Sequence, residues 1–339
     1  MNTTTELTLS VIICAYTQDR WDWLVQAVES VQKQTRPASE IIVIIDHNPS
    51  LLLMAQKQLR EIIVSDNRET RGLSGARNSG IALARGEVLA FLDDDAIAAP
   101  DWLEQLTQSM HDPQILGTGG AVQPYWAKQK PAWLPEEFYW VVGCTYRGLP
   151  DTTAPIRNPI GANMCIRREV FSTIGGFRSG IGRVGTRPVG CEETELCIRA
   201  RQYWPQRTFL FHPQAQVSHV VPEQRANWRY YRSRCYAEGI SKAFVARFVG
   251  AKDSLSSEST YTLQTLPTGV LRNIKATLVG RDRAGFARAG AIVMGLLITA
   301  IGYVVGCCFA QPTKDEQQLI PMPVVEDTLQ ATDNMMSNV

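Results

Sequence analysis

Asp93, Asp94 and Asp95 stand side by side at the end of a short apolar run, Glu87–Leu92. Carboxylates crowded at such a point repel one another and raise each other's pKa. A divalent cation relieves that repulsion, and oxygen donors suit Mg²⁺ or Mn²⁺. An ion held there can neutralise a diphosphate leaving group. A solvated acidic turn capping the next helix is the plainer alternative, and the three residues alone leave both open. Asp46 closes a second apolar run, Glu40–Ile45, in the same way.

The elements that must carry these residues alternate. Leu9–Ala15, Glu40–Ile45, Glu61–Val64 and Glu87–Leu92 read as buried strands. Asp22–Lys33, Leu51–Arg60 and a segment from Ser74, as cap, to Arg85 read as helices between them. That order predicts a doubly wound, mostly parallel sheet, in which ligands sit at the carboxyl ends of the strands. Further on, Pro124 to Pro159 reads as loops, Asn163–Ile166 as a strand and Arg168–Ile174 as a helix. Arg178–Gly190 is rich in Gly and Arg and reads as a mobile loop. Glu192–Tyr203 reads as a helix, Thr208–Phe211 and Gln216–Val221 as two strands, and Gln224–Val249 as a long helix.

The chain of 339 residues carries 34 Lys and Arg against 33 Asp and Glu, a net charge of +1, which excludes a broadly basic nucleic-acid coat. Its eight cysteines contain no CxxC pair, so neither a zinc ribbon nor a redox motif is expected, and the thiols read as reduced. No GxGxxG follows the first strand, which argues against a nicotinamide-dependent dehydrogenase. The opening MNTTTELTLS lacks the basic and apolar regions of a signal peptide.

Ala289–Phe309 contains no charge. At about 1.5 Å per residue it matches a hydrocarbon core of about 30 Å, so a single transmembrane helix over 289–310 is expected. Arg281, Arg283 and Arg288 precede it, and Lys314, Asp315, Glu316, Glu326, Asp327 and Asp333 follow. The positive-inside rule then keeps the preceding domain cytoplasmic, at the plasma membrane, and sends the flexible tail 311–339 outward. Residues 251–270 are polar and read as a linker. Residues 271–288 alternate basic and apolar side chains, which suits either an interfacial helix on anionic lipid or a solvated connector.

Several ordered blocks resemble the family 2 glycosyltransferases. They are Ser10–Thr17 with Arg20; Glu40–Asp46; Gly72–Gly80; Phe91–Asp95 followed by Pro100-Asp101-Trp102; Gly161–Met164 with Arg167, Arg168 and Gly175-Gly176-Phe177; and Glu192–Leu196 with Arg199. The resemblance implies the GT-A fold over residues 1–250, a nucleoside-diphosphate sugar as donor, UDP by the family's habit, and inversion in a single displacement. It implies donor contacts from Ala15, Tyr16, Arg20, Asp46, Arg77, Asp93 and Asp94, with Asp93 toward the nucleoside, and a divalent metal (Mn²⁺ or Mg²⁺) on Asp95 and His219. Physically, Tyr16 offers a stacking face and Asp46 an acceptor for an imide N–H. Glu193 is implied as the general base, with Glu192 as competitor, where the family more often has Asp. That departure leaves an inactive nucleotide-sugar-binding protein as the alternative function. Asn163, Arg225 and Arg229 are expected at the acceptor, a glycan or polyprenyl-linked saccharide; an arginine stripe of Arg225, Arg229 and Arg232 equally fits anionic membrane lipid or a solvated face. No nucleic-acid partner is expected.

Overall fold

The computed structural model describes residues 7–183, 190–250, 253, 258–280 and 282–309. The centre is a nine-stranded sheet with the path β3-β2-β1-β4-β8-β6-β9-β5, and β7 pairing on β9. The strands are β1 Leu9–Ala15, β2 Glu40–Ile45, β3 Ile63–Asp66, β4 Val88–Asp93, β5 Ala96–Ala98, β6 Ile115–Trp126, β7 Ala154–Ile156, β8 Asn163–Arg167 and β9 Thr208–Val221. The first four run parallel. β8 is antiparallel to β4 and β6, and β5 and β7 are antiparallel to β9. The sheet is therefore mixed, with its parallel half where the apolar runs alternate with helices.

β1, β2 and β4 carry apolar residues toward both sides, apart from Ser10, Glu40 and the terminal Asp93, because both faces of the sheet are covered there. Their period of two divides them between two cores. Val11, Ile13, Val43, Ile45, Ala90 and Leu92 pack with Leu24, Val28, Leu51 and Trp102 on one side. Ile12, Ile42, Ile44 and Phe91 pack with Ala76, Val170, Phe171 and Leu196 on the other. The covering helices are α1 Trp21–Gln32, α2 Pro49–Gln58, α3 Leu73–Leu83, α4 Trp102–Thr107, α5 Arg168–Ile174 and α6 Glu192–Tyr203. The remaining helices are α7 Trp228–Val249, α8 Leu266–Leu278 and α9 Gly285–Phe309.

Several expectations change on contact with the structure. Ser74 does not cap α3; Gly72 does, at φ 123°, and the Ser74 hydroxyl donates instead to the Ile181 carbonyl at 2.5 Å. The two strands expected over 208–221 are one, β9, carried past Pro213 by a register shift against β6. Residues 124–159 are not all loop: they hold the end of β6, a 3₁₀ segment Glu136–Val142 and β7. The long helix starts at Trp228, because the Asn227 side chain accepts from the Tyr230 N–H at 2.9 Å and caps it. The second half of the expected linker is helical, as Glu258–Thr260, Tyr261–Thr265 and the start of α8, and it docks on the body that carries the sheet. There the Tyr261 hydroxyl donates to the Glu137 carbonyl, and Arg272 pairs with the fully buried Glu137. Residues 184–189 of the expected mobile loop and the whole of the expected tail 311–339 lie outside the described residues.

Asn163, expected at the acceptor, belongs to the core. It is fully buried, accepts from Trp102 Nε1 at 2.8 Å, and donates through Nδ2 to the carbonyls of Ala121 at 2.9 Å and Ala215 at 2.8 Å. Its amide thus joins α4, β6, β8 and β9, and none of it faces a ligand. Asn163→Leu strands a buried donor and two buried carbonyls, and should lower unfolding free energy by about 2–4 kcal/mol in denaturant titration.

Candidate active site

Parallel register brings the strand ends to one edge: Cys14 of β1 lies beside Asp93 of β4, and Ala15 beside Ile45, the residue before Asp46. Tyr16 follows β1 and is 41% exposed, with the Arg20 guanidinium 5.5 Å from its ring centre. Arg20 also reaches inward and pairs with Asp94 at 2.8 Å and Asp95 at 3.0 Å. Asp46 is buried; its carboxylate accepts from Asn67 Nδ2 at 2.7 Å and the Gly72 N–H at 3.0 Å, and its Oδ1 lies 2.9 Å from His47 Nδ1. Its structural work is to hold the turn that opens α3.

Asp94 and Asp95 sit in the tight turn between β4 and β5, and β5 pairs with β9 so that Ala96 faces His219. The Val220 N–H donates to the Asp95 carbonyl at 2.9 Å, and His219 Nε2 lies 3.2 Å from Asp95 Oδ1. Burial opposes the Asp95 charge, but His219 and Arg20 outweigh it and hold the carboxyl below the usual range. Burial likewise disfavours a charged His219, yet Asp95 pushes its pKa up to about 10. Asp94 takes the opposite course: burial, and then its neighbour Asp95, raise it to about 7. Its Oδ2 has no hydrogen-bond partner among the described residues.

Asp93, Asp95 and His219 offer ligand atoms that all lie within 4.8 Å of one another. Carboxylate oxygens and an imidazole form a donor set that fits Mn²⁺, and the burial of Asp95 and His219 gives it a fixed frame. Asp93, expected on the nucleoside, thus stands with the metal-type ligands. Its side chain keeps 31% of its exposure and lines a cavity of about 470 Å³.

Arg77 links this cluster to the glutamates. It is 2% exposed, lies against Phe177 and Phe91, and donates to Glu192 Oε1 at 2.8 Å and to the Gly161 carbonyl at 3.0 Å. Its Nη2 is 3.6 Å from Asp93. Expected as a donor contact, Arg77 is instead engaged as a clamp between strand end and helix start. Glu192 and Glu193 open α6 after Cys191, which turns through φ 74°. Glu192 is buried in its pair with Arg77, whereas Glu193 is half-buried on the cavity wall. Burial, and then Glu192, push the Glu193 carboxyl up to about 8.

The cavity runs from Asp93, His219, Glu192 and Glu193 to an apolar wall that includes Trp140, Tyr261, Leu266 and Leu296. Arg183, Arg234 and Lys242 also line it, and sequence reasoning missed all three. Arg234, Glu238 and Lys242 repeat every four residues on α7, a helical signal that could have found them. Arg183 lay unmarked in a segment read only as loop. Tyr16, Arg20 and Asp46 do not line this cavity; Tyr16 is exposed, Arg20 half-buried and Asp46 buried. Arg225 is half-buried, and its charge helps lower Asp95, so it sits at the metal end rather than out at an acceptor. Arg229 is exposed. His212 is buried away from the cluster, with Nδ1 held by Gln108 at 2.9 Å and Thr153 at 3.1 Å.

The family described as Glycosyl transferase family 2 matches residues 10–175. A glucosyl-dolichyl phosphate glucuronosyltransferase of Haloferax volcanii is 35% identical over 238 residues, covering 69% of this chain and 76% of that protein. The succinoglycan biosynthesis protein ExoM of Rhizobium meliloti is 26% identical over 216 residues, covering 59% of this chain and 65% of its own length. A mannosyltransferase of Pyrobaculum calidifontis, in complex with GDP-Man and Mn²⁺, superposes with a TM-score of 0.54 at 14% identity, covering 87% of this chain and 88% of its own. GalNAc-T7 with UDP, GalNAc and Mn²⁺ gives 0.51 at 21% identity over 72% of this chain, which spans 50% of that structure. The chain belongs to the family 2 glycosyltransferases and has their GT-A fold.

Removing one of three ligands should weaken metal binding sharply. Asp95→Asn or His219→Ala should cut Mn²⁺ affinity at least about 10-fold in calorimetric titration, whereas Asp101→Asn, beyond β5 at the start of α4 and outside the triplet, should leave it unchanged.

Proposed function

We propose that this glycosyltransferase moves a sugar from a nucleoside-diphosphate sugar, UDP-linked, to a hydroxyl of a polyprenyl-linked saccharide or polysaccharide precursor, with inversion and with Mn²⁺ or Mg²⁺. The observation that carries this reading is that Asp93 and His219 of the ligand triplet and the half-buried Glu193 line one cavity. Asp93, Asp95 and His219 would hold the cation, which supplies charge neutralisation for a departing diphosphate.

The chain's own residues account for the rest. Glu193 takes the proton from the acceptor hydroxyl as that oxygen attacks the anomeric carbon. A base poised close to neutral pH accepts a proton with the best balance of ionisation and strength, and the Glu193 carboxyl, pushed up to about 8, is in that range. Glu192 is the less available of the two because its carboxylate is already engaged by Arg77 at 2.8 Å. Tyr16, Arg20 and Asp46 form the outer edge on which a nucleoside would lie. The apolar far wall of the cavity suits an acceptor with a lipid portion, and the Haloferax volcanii relative, named for a dolichyl phosphate substrate, supports the same class. That relative's name makes UDP-glucuronate the first donor to assay. Exposed Arg283 and the neighbouring Arg288 favour an anionic, cytoplasmic membrane face, here the plasma membrane.

A donor-consumption screen across nucleotide sugars, with and without Mn²⁺, tests the reading: one donor should be consumed, and only with metal. Consumption of none, under any metal condition, would overturn it. Glu193→Gln should lower kcat about 10²–10⁴-fold with donor binding retained, which also separates an enzyme from a binding protein of the same fold. Because Glu193 must be deprotonated, kcat/KM of the native enzyme should rise with pH along a limb centred near about 8.

A further inference from the structure

The apolar helix α9 is long enough to cross a bilayer, with Gly285–Cys308 as the candidate span. Its packing points elsewhere. α9 runs alongside α7, whose Arg234, Glu238 and Lys242 line the catalytic cavity. The Tyr231 hydroxyl donates to the Ala291 carbonyl at 2.7 Å. A Cβ on Gly239 would stand 2.1 Å from the Thr299 carbonyl oxygen, and one on Gly302 would stand 2.2 Å from that of Tyr236, so the two backbones touch where these glycines lie. Arg247 then donates to the carbonyls of Gly306 and Cys307, both at 2.7 Å, at the far end of α9. Contact positions advance together along both helices, over about 24 Å at 1.5 Å per residue.

The near end is fixed to the same body. Arg288 donates to the Ala132 carbonyl at 3.0 Å and to Asn273 of α8 at 2.7 Å. A helix crossing the membrane would place these two ends on opposite sides. The docked α7 would then lie at bilayer depth with Arg232, Arg234, Glu238, Lys242 and Arg247, where charged side chains are strongly disfavoured.

Among the described residues, nothing covers the opposite face of α9. Phe286, Val293, Leu297, Ile301 and Val304 follow one another at spacings of three, four and seven and are 47–59% exposed. The single charge of α9 from Phe286 to Cys308, half-buried Arg288, lies on the packed side, where it reaches Asn273 and Ala132. α8 adds exposed Leu271 and Leu278, at 68% and 73%. Exposed Lys275 and Arg283 border these stripes and complement anionic headgroups. An uncharged apolar face left open among the described residues, with cations beside its near end, fits a surface resting on anionic lipid headgroups.

We propose that α9 is an in-plane membrane anchor: it rests on one leaflet through its uncovered face, stays packed on α7, and leaves both chain termini on the same side. The inference rests on packing and holds whether or not the glycosyl-transfer reading does. The test uses the full chain with an epitope tag at each end, expressed in bacteria and isolated in sealed membrane vesicles. In cytoplasm-out vesicles external protease should remove both tags; in right-side-out spheroplasts it should remove neither. A C-terminal tag protected in the first and cleaved in the second would show a spanning helix and overturn the proposal. The purified chain should also float with preformed phosphatidylcholine–phosphatidylglycerol vesicles, and the double variant Leu297→Lys, Ile301→Lys should bind them at least 10-fold less. A native chain that remains in the soluble fraction, for instance as a dimer that covers this face, or a double variant that binds undiminished, would overturn it as well.

Discussion

The site depends on charge that has been taken out of water and compensated in place. Asp94 and Asp95 are 3% and 4% exposed, in a turn that also carries Asp93. Three adjacent carboxylates at a strand end are tolerated because Arg20 pairs with two of them and His219 with one. The compensation is uneven: Asp95 stays ionised beside His219, whereas Asp94, with one oxygen unpartnered, is held close to neutral pH. A cation among Asp93, Asp95 and His219 would complete a balance that the protein side chains leave partial.

Arg77 extends the same logic across the cavity. A buried guanidinium must be fully engaged, and this one is divided between Glu192, the Gly161 carbonyl and the neighbourhood of Asp93. It therefore fixes the start of α6 relative to the end of β4. By pairing directly with Glu192 and not with Glu193, it makes two adjacent glutamates unequal. The helix geometry would turn them about 100° apart in any case, but the ion pair decides which one remains available.

The C-terminal helices are part of this architecture rather than an appendage. Arg272 reaches the fully buried Glu137, Tyr231 reaches the α9 backbone, and Leu266 and Leu296 complete the cavity wall. α9 thus lines the cavity on one side, through Leu296 and Thr299, and presents an apolar face on the other.

The sequence by itself determined the parallel half of the sheet, because uninterrupted apolar strands separated by helical segments leave few other arrangements. It also determined the Asp93–Asp95 turn, the glutamates that open α6 and the uncharged length of α9. His219 was legible as a strand-end histidine, but its partnership with Asp95 came from the antiparallel pairing of β5 with β9, a contact between residues far apart in the chain. The same holds for Asn163 and Arg77. Each carries groups suited to a ligand, and only packing revealed that core carbonyls and Glu192 had already claimed them. Sequence records which side chains can bond; tertiary structure decides which of them are already bonded, because a buried polar group must be satisfied by whatever the fold places within reach.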